Sequence, residues 1–324
     1  MAELPIALSV RRLIFTAILI ALFVPASAGS ALQLGVVGSK PRFHRLTGQA
    51  SVIDMKFTTW GNGLGNQGWM DRLFTEQRPI PMISLQTRNA DGKEVITPRA
   101  IANGHGDKYL AALSRTAHNF GTESYIRPLA EMNGHWNPYC AYNANGTYRG
   151  DAHSTANFRR AFKRIYLIMH GGLRSDINAR LANLGMPGLR TSGRIPENPF
   201  VKVFWNPQGY GSPKIRKNSA NSYYPGGKYV DVFGNDLYDI GYKAAWDANL
   251  TLFKSHPSKP FVMGEWGLWG IDDPSFIRHM ARFVSSHSRV KAIVWYKSEK
   301  GSIFDLGSKP KSLAAYKKYI VPLG

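Results

Sequence analysis

Ser124-Tyr125-Ile126-Arg127-Pro128-Leu129-Ala130-Glu131-Met132-Asn133-Gly134-His135-Trp136 is the stretch on which the fold turns. Ser124 to Leu129 is largely apolar, as a strand buried on both faces must be. A glutamate, an amide and a tryptophan follow directly where that strand ends. Working outward, seven similar runs occur at Leu32 to Val37, Ser51 to Thr59, Ile80 to Thr87, Val201 to Trp205, Tyr229 to Phe233, Pro260 to Met263 and Val290 to Tyr296.

Helical patterns lie between these runs. Asp107 to His118 carries Leu110, Leu113 and Ala117 at helical spacing, with Asp107 as the expected N-cap. Thr155 to His170 places Phe158, Phe162, Ile165 and Met169 on one stripe, with Thr155 as its cap. Trp246 to Lys254, Pro274 to Val284 and Ser312 to Ile320 complete the set, and Asp273-Pro274 supplies a cap followed by proline at the first helical position. Eight strands alternating with helices predict an α/β protein, a (β/α)8 TIM barrel. The rival, an open doubly wound sheet, usually carries a glycine-rich phosphate loop after its first strand. Val37-Gly38-Ser39-Lys40 is not one. Segments 137–154, 171–199 and 207–228 have no clear period and are expected to decorate the barrel faces.

The N-terminus reads as a signal peptide over residues 1–28. Arg11 and Arg12 precede an apolar run from Leu13 to Val24, and Ala26-Ser27-Ala28 is a small-x-small cleavage site. The run is shorter than the roughly 20 residues that span a bilayer, so contact with the membrane is expected only if the leader stays uncleaved. A secreted or periplasmic, monomeric protein is expected, with residues 29–324 forming one catalytic domain. The single cysteine, Cys140, excludes an intrachain disulfide. The net charge of +20 favours acidic partners. The basic residues are scattered, however, and no zinc-finger, helix-turn-helix or basic-zipper spacing points to nucleic acid.

In a barrel, chemistry gathers at the C-terminal ends of the strands. There the sequence offers Glu131 with Asn133 and Trp136, Trp205-Asn206-Pro207-Gln208, Asn235-Asp236-Leu237-Tyr238, Gly264-Glu265-Trp266 and Trp295-Tyr296. Trp60 closes the second strand. Two carboxylates among aromatic and amide side chains are what glycoside hydrolysis requires: one to protonate the leaving oxygen, one to attack or stabilise the anomeric carbon. Core packing is the alternative reading for Trp136, Trp266 and Trp269, and core or rim is as much expected as a sugar platform for Trp60. Arg127 reads as a tie between strands inside the barrel, and Asp236 as a structural hydrogen-bond partner. No metal or cofactor is expected, because the nine histidines show no HExxH or paired-ligand spacing, and there is no GxSxG nucleophile elbow.

The stretch Arg127 to Trp136 resembles the acid/base motif of glycoside hydrolase family 26, the β-mannanase family of the large retaining (β/α)8 clan. Phe204 to Gln208, Tyr223 to Tyr238 and Phe261 to Gly267 resemble that family's strand-five, strand-six and nucleophile motifs, in the same order. The resemblance spans roughly residues 32–320. It implies Glu131 as general acid/base, Glu265 as nucleophile and Tyr238 as the group that orients the nucleophile. It further implies Trp295 as the floor under the attacked sugar, Trp136 as a stacking partner and Asn133 as a polar contact near the acid. Trp205 and Trp266 join this list as expected substrate contacts. Where the family usually has histidine before the acid/base glutamate, this chain has Ala130. The implied substrate is a β-linked polysaccharide: β-mannan-like, mixed-linkage β-glucan or an acidic exopolysaccharide. A non-catalytic polysaccharide-binding protein on the same barrel is the alternative.

Overall fold

The computed structural model describes Met1 and residues 31–324; the expected signal peptide lies outside the described residues. Eight parallel strands close in sequence order into a barrel. They are β1 (Gln33–Val37), β2 (Ile53–Thr59), β3 (Ile80–Gln86), β4 (Ser124–Pro128), β5 (Val201–Trp205), β6 (Val232–Ile240), β7 (Phe261–Trp269) and β8 (Val290–Trp295). The (β/α)8 expectation holds. Strand six begins three residues later than expected, and strands six and seven both run on through the motifs placed after them, so those side chains project from strands and not from loops.

The helices are α1 (Lys40–Thr47), α2 (Gln67–Thr75), α3 (Pro98–Ala102), α4 (Asp107–Phe120), α5 (Thr155–His170), α6 (Arg174–Asn183), α7 (Trp246–Ser255), α8 (Pro274–Ser286) and α9 (Pro310–Tyr319). Two caps differ from expectation. Ser154, not Thr155, caps α5 by accepting from the Asn157 backbone N–H at 3.1 Å. Asp107 lies inside α4 and is buried. Its carboxylate takes both arms of the Arg164 guanidinium from α5 at 2.7 and 2.6 Å, so it ties two helices together instead of capping one.

Period-two alternation divides the apolar residues into two layers. One face of the strands, including Val36, Ile126, Val203, Phe261 and Ile293, packs with helix residues such as Leu110, Phe162 and Met280 in the main core. The other face, including Ile53, Met55, Met82, Tyr125, Phe204, Val262 and Val294, fills the barrel interior. Pairing of β6 with β7 jumps register after Asn235↔Met263, so that Asp236 pairs with Glu265 and Gly264 is left over. This bulge resets the alternation: a Cβ on Gly264 would point at the interior groups Asn206, Asp236 and Arg127, and Glu265 points inward next to it.

Candidate active site

Arg127 organises the C-terminal mouth of the barrel. Its side chain projects inward from β4 and is buried. Nε–H donates to Asn206 Oδ1 at 3.1 Å, one terminal nitrogen donates to Ser84 Oγ at 3.1 Å and to Glu265 Oε1 at 2.7 Å, and the other donates to Asp236 Oδ2. The tie between strands read from sequence is therefore also a direct contact with a site carboxylate. The second oxygen of Glu265 accepts from the Tyr238 hydroxyl. Burial pushes the Glu265 carboxyl above its ordinary range, while the adjacent Arg127 charge pulls it down. Asp236, which shares that guanidinium, is pushed up strongly by burial, and its other oxygen has no partner.

Glu131 stands across from Glu265 on the turn that follows β4. Leu129 and Glu131 both adopt left-handed backbone, each with φ of 54°. For residues other than glycine this costs of order 1–3 kcal/mol each and persists only where neighbours enforce it. The neighbours are present. The Leu129 and Glu131 N–H groups donate to Leu85 O at 2.9 Å and Asn206 O at 2.7 Å. The Tyr139 hydroxyl donates to Ala130 O at 2.7 Å, and Asn137 Nδ2 donates to Glu131 O at 3.0 Å. The carboxylate is gripped at both oxygens, by the Trp136 indole N–H at 2.7 Å and by the Gln208 side-chain amide. Gln208 is a site residue that the sequence reading did not single out; its place beside the strand-five Asn206 was the available signal.

The cleft opens on both sides of the carboxylate pair. One side is a cavity of about 450 Å³ walled by Trp136, Tyr210, Tyr238, Trp269 and Tyr296. The other, of about 250 Å³, is lined by Phe57, Gln86, Arg88, Ala130 and Tyr139. Glu131, Trp136, Glu265 and Tyr296 border both. Burial, followed by the charges of Glu265 and Glu131, pushes the Tyr296 phenol up to about 12, so it stays neutral.

Five expected substrate contacts lie elsewhere. Trp295 is fully buried between barrel and helices, against Phe43, Trp266 and Tyr316. The alternation that puts Ala292 and Val294 inside the barrel brings Tyr296, one residue on from Trp295, into the lining of the cleft. Trp266 stacks on Tyr316, facing outward because Glu265 faces inward. Trp205 packs with Tyr224 and His256 on the same outer layer. The indole N–H groups of all three tryptophans have no partner. Trp60 lies over Gly106 and Tyr109, away from both cavities. Asn133 is buried, donating to Gln208 O at 2.9 Å and accepting from the Gln208 N–H at 2.8 Å, so it clamps the loop that carries Gln208. Trp136 and Tyr238 do line the cleft. Cys140 is buried against Asn218 and Tyr223.

No protein-family model matches the chain. It is 23% identical to endoglucanase H of Acetivibrio thermocellus over 317 residues, 90% of this chain and 30% of that protein. It is 26% identical to a mannan endo-1,4-beta-mannosidase of Bacillus subtilis over 187 residues, 55% of this chain and 41% of that protein. The chain thus spans well under half the length of either relative. Among solved structures, a family 26 β-mannanase of Bacteroides ovatus is 15% identical with a TM-score of 0.55, covering 89% of this chain and 88% of that one. An endo-beta-1,4-mannanase of Cellulomonas fimi is 15% identical with a TM-score of 0.57, covering 90% and 70%. The fold is therefore that of glycoside hydrolase family 26 structures, the family that the motifs resemble.

Proposed function

We propose that the chain is a retaining endo-β-glycanase, exported by its leader, with Glu265 as nucleophile and Glu131 as acid/base. The observation that carries this reading is the pair of unlike carboxylates bordering one aromatic cleft. Glu265 is buried, anchored to strands four and six through Arg127 and Tyr238, and aimed inward by a bulge. Glu131 is half-buried, held on a strained turn by neutral donors. A nucleophile needs an immobile anion, and the Arg127 charge favours that form. An acid/base needs access to both the leaving oxygen and water, and a half-exposed carboxyl offers it.

In the first step a Glu265 oxygen bonds to the anomeric carbon as the bond to the departing sugar breaks, and the proton on Glu131 passes to that sugar's oxygen. In the second, water gives its proton to Glu131 and its oxygen to the anomeric carbon, which releases Glu265. Two successive displacements at one carbon retain configuration. The relatives, one named as an endoglucanase and one as a mannan endo-1,4-beta-mannosidase, support a glucan- or mannan-type backbone. The test is reducing-sugar release by the purified protein from a panel of β-glycans, with proton NMR of the first product. Glu265→Ala is expected to abolish release, and azide to restore turnover of activated glycosides with inverted product. Glu131→Gln is expected to slow natural substrates far more than activated ones. Inversion by the parent protein, or an active Glu265→Ala variant, refutes the assignment. Binding without any release moves the protein to the binding-module alternative.

A further inference from the structure

We propose that the cleft reads acidic sugars, and that Lys243, Lys214 and Arg88 are the residues that do so. This rests on the hydrolase reading and names its substrate class: a β-linked polymer bearing carboxylates. Three cations beside the cleft meet no carboxylate among the described residues. Lys243 lines the larger cavity, beside Tyr238 and Trp269. Lys214 lines an adjoining hollow that shares Tyr210 and Ala245 with that cavity, so the groove runs on from one to the other. Both lysines are exposed, and among the described residues no hydrogen bond or ion pair engages either ammonium. Arg88 lines the cavity on the opposite side, its guanidinium donating to the Trp136 carbonyl and, among the described residues, met by no carboxylate.

The acidic groups of the cleft do not answer these cations. Glu265 and Asp236 are taken up by Arg127, and Glu131 by Trp136 and Gln208. Asp247, in the outer hollow, is the remaining carboxylate along the groove. A neutral glycan can offer these three cations only hydroxyl oxygens, which leave their charges uncompensated. A glycan with carboxylates on the flanking sugars pairs with them. The aromatic walls meanwhile take the apolar faces of the rings, so that charge selects the substituent and stacking holds the backbone.

The test uses polymer pairs that differ only in charge: β-1,4-mannan against its C6-oxidised form, and β-1,4-glucan against its C6-oxidised form. Release is measured at about 20 mM and 500 mM NaCl, since screening shortens from tens of ångströms to a few over this range. The oxidised member is expected to show the lower KM at low salt, with the advantage lost at high salt. In the Lys214→Met/Lys243→Met double variant that KM advantage should shrink about 3- to 10-fold, as exposed charge pairs allow. Lys317→Met/Lys318→Met, on α9, changes net charge equally and should leave the preference alone. Equal KM for both members of each pair at low salt overturns the inference, as does a preference that survives in the cleft variant or falls equally in the α9 variant. Electrophoresis through gels cast with each polymer separates the two readings. Retardation by the oxidised polymer that depends on Lys214 and Lys243, without any cutting, keeps this inference and defeats the hydrolase. Cutting without charge preference does the reverse.

Discussion

Gly264→Ala adds a single methyl group at the bulge that aims Glu265, the proposed nucleophile, and its consequence follows from distances. The added Cβ would lie 2.1 Å from Asn206 Oδ1, 2.9 Å from Asp236 Oδ1 and 3.1 Å from Arg127 Nε. Ordinary contact begins at 3.4 Å, so the Asn206 amide must give way by about 1.3 Å, a shift too large for a close-packed interior to absorb without moving other groups. Asn206 is fully buried and is the acceptor for Arg127 Nε–H, while the same guanidinium holds Glu265 Oε1 at 2.7 Å. Either the Arg127 fork tilts or β7 backs away, and both displace the Glu265 carboxylate by about 1 Å. A misplacement of that size costs about 100-fold in rate, near 2.7 kcal/mol of transition-state stabilisation. Loss of one buried hydrogen bond adds about 1–3 kcal/mol of instability, a fall of several degrees in Tm for a domain this large. Initial rates on an activated aryl β-glycoside, with Tm by circular dichroism, check both. The expected result is kcat/KM down about 100-fold in a protein still folded at the assay temperature. Activity within threefold of the parent would refute the account of how the bulge positions Glu265.

Two further outcomes follow from the same structure. Tyr296→Ala is expected to reduce kcat/KM by about 2- to 10-fold through lost stacking with little change in Tm, whereas Trp295→Ala should cost about 3–5 kcal/mol of stability by emptying the outer layer; the reverse pattern would restore Trp295 as the sugar floor. Asp54, on β2 and 3.4 Å from Lys40 Nζ, is pushed up to about 6 by burial, which outweighs the Lys40 and Lys56 charges. The native state therefore takes up a proton between pH 6 and 4 that the unfolded chain does not, and the cost of the buried charge, present at pH 7.5, disappears as pH falls through that window. Asp54→Asn should accordingly melt above the parent at pH 7.5, with the difference closing by pH 4.5, as read by thermal scans at each pH.

The barrel was legible in the chain because its strands are buried on both faces. Val201 to Trp205 and Thr155 to His170 carry periods that the tertiary structure only confirms. Four helices passed unnoticed, α1, α2, α3 and α6. Three have eight to ten residues and α3 has five, and α6 shows only Ile177 and Leu181 buried, too weak a stripe to stand out from loops. The order of Glu131, Asp236, Tyr238 and Glu265 toward the C-terminal ends of strands four, six and seven was also in the sequence, since strand ends are where a parallel barrel presents its side chains. Which way each aromatic side chain faces was not. A shift of one residue exchanges the inside of a strand for the outside, and local sequence does not mark where β7 gains its extra residue. Pairing with β6 across the bulge turned Glu265 into the cleft and Trp266 out to the helices, and the alternation of β8 from Ala292 onward sent Trp295 outward and Tyr296 in. The sequence by itself determined the barrel and the chemical groups at its mouth; the register between strands, a property of no single segment, decided which of those groups meet.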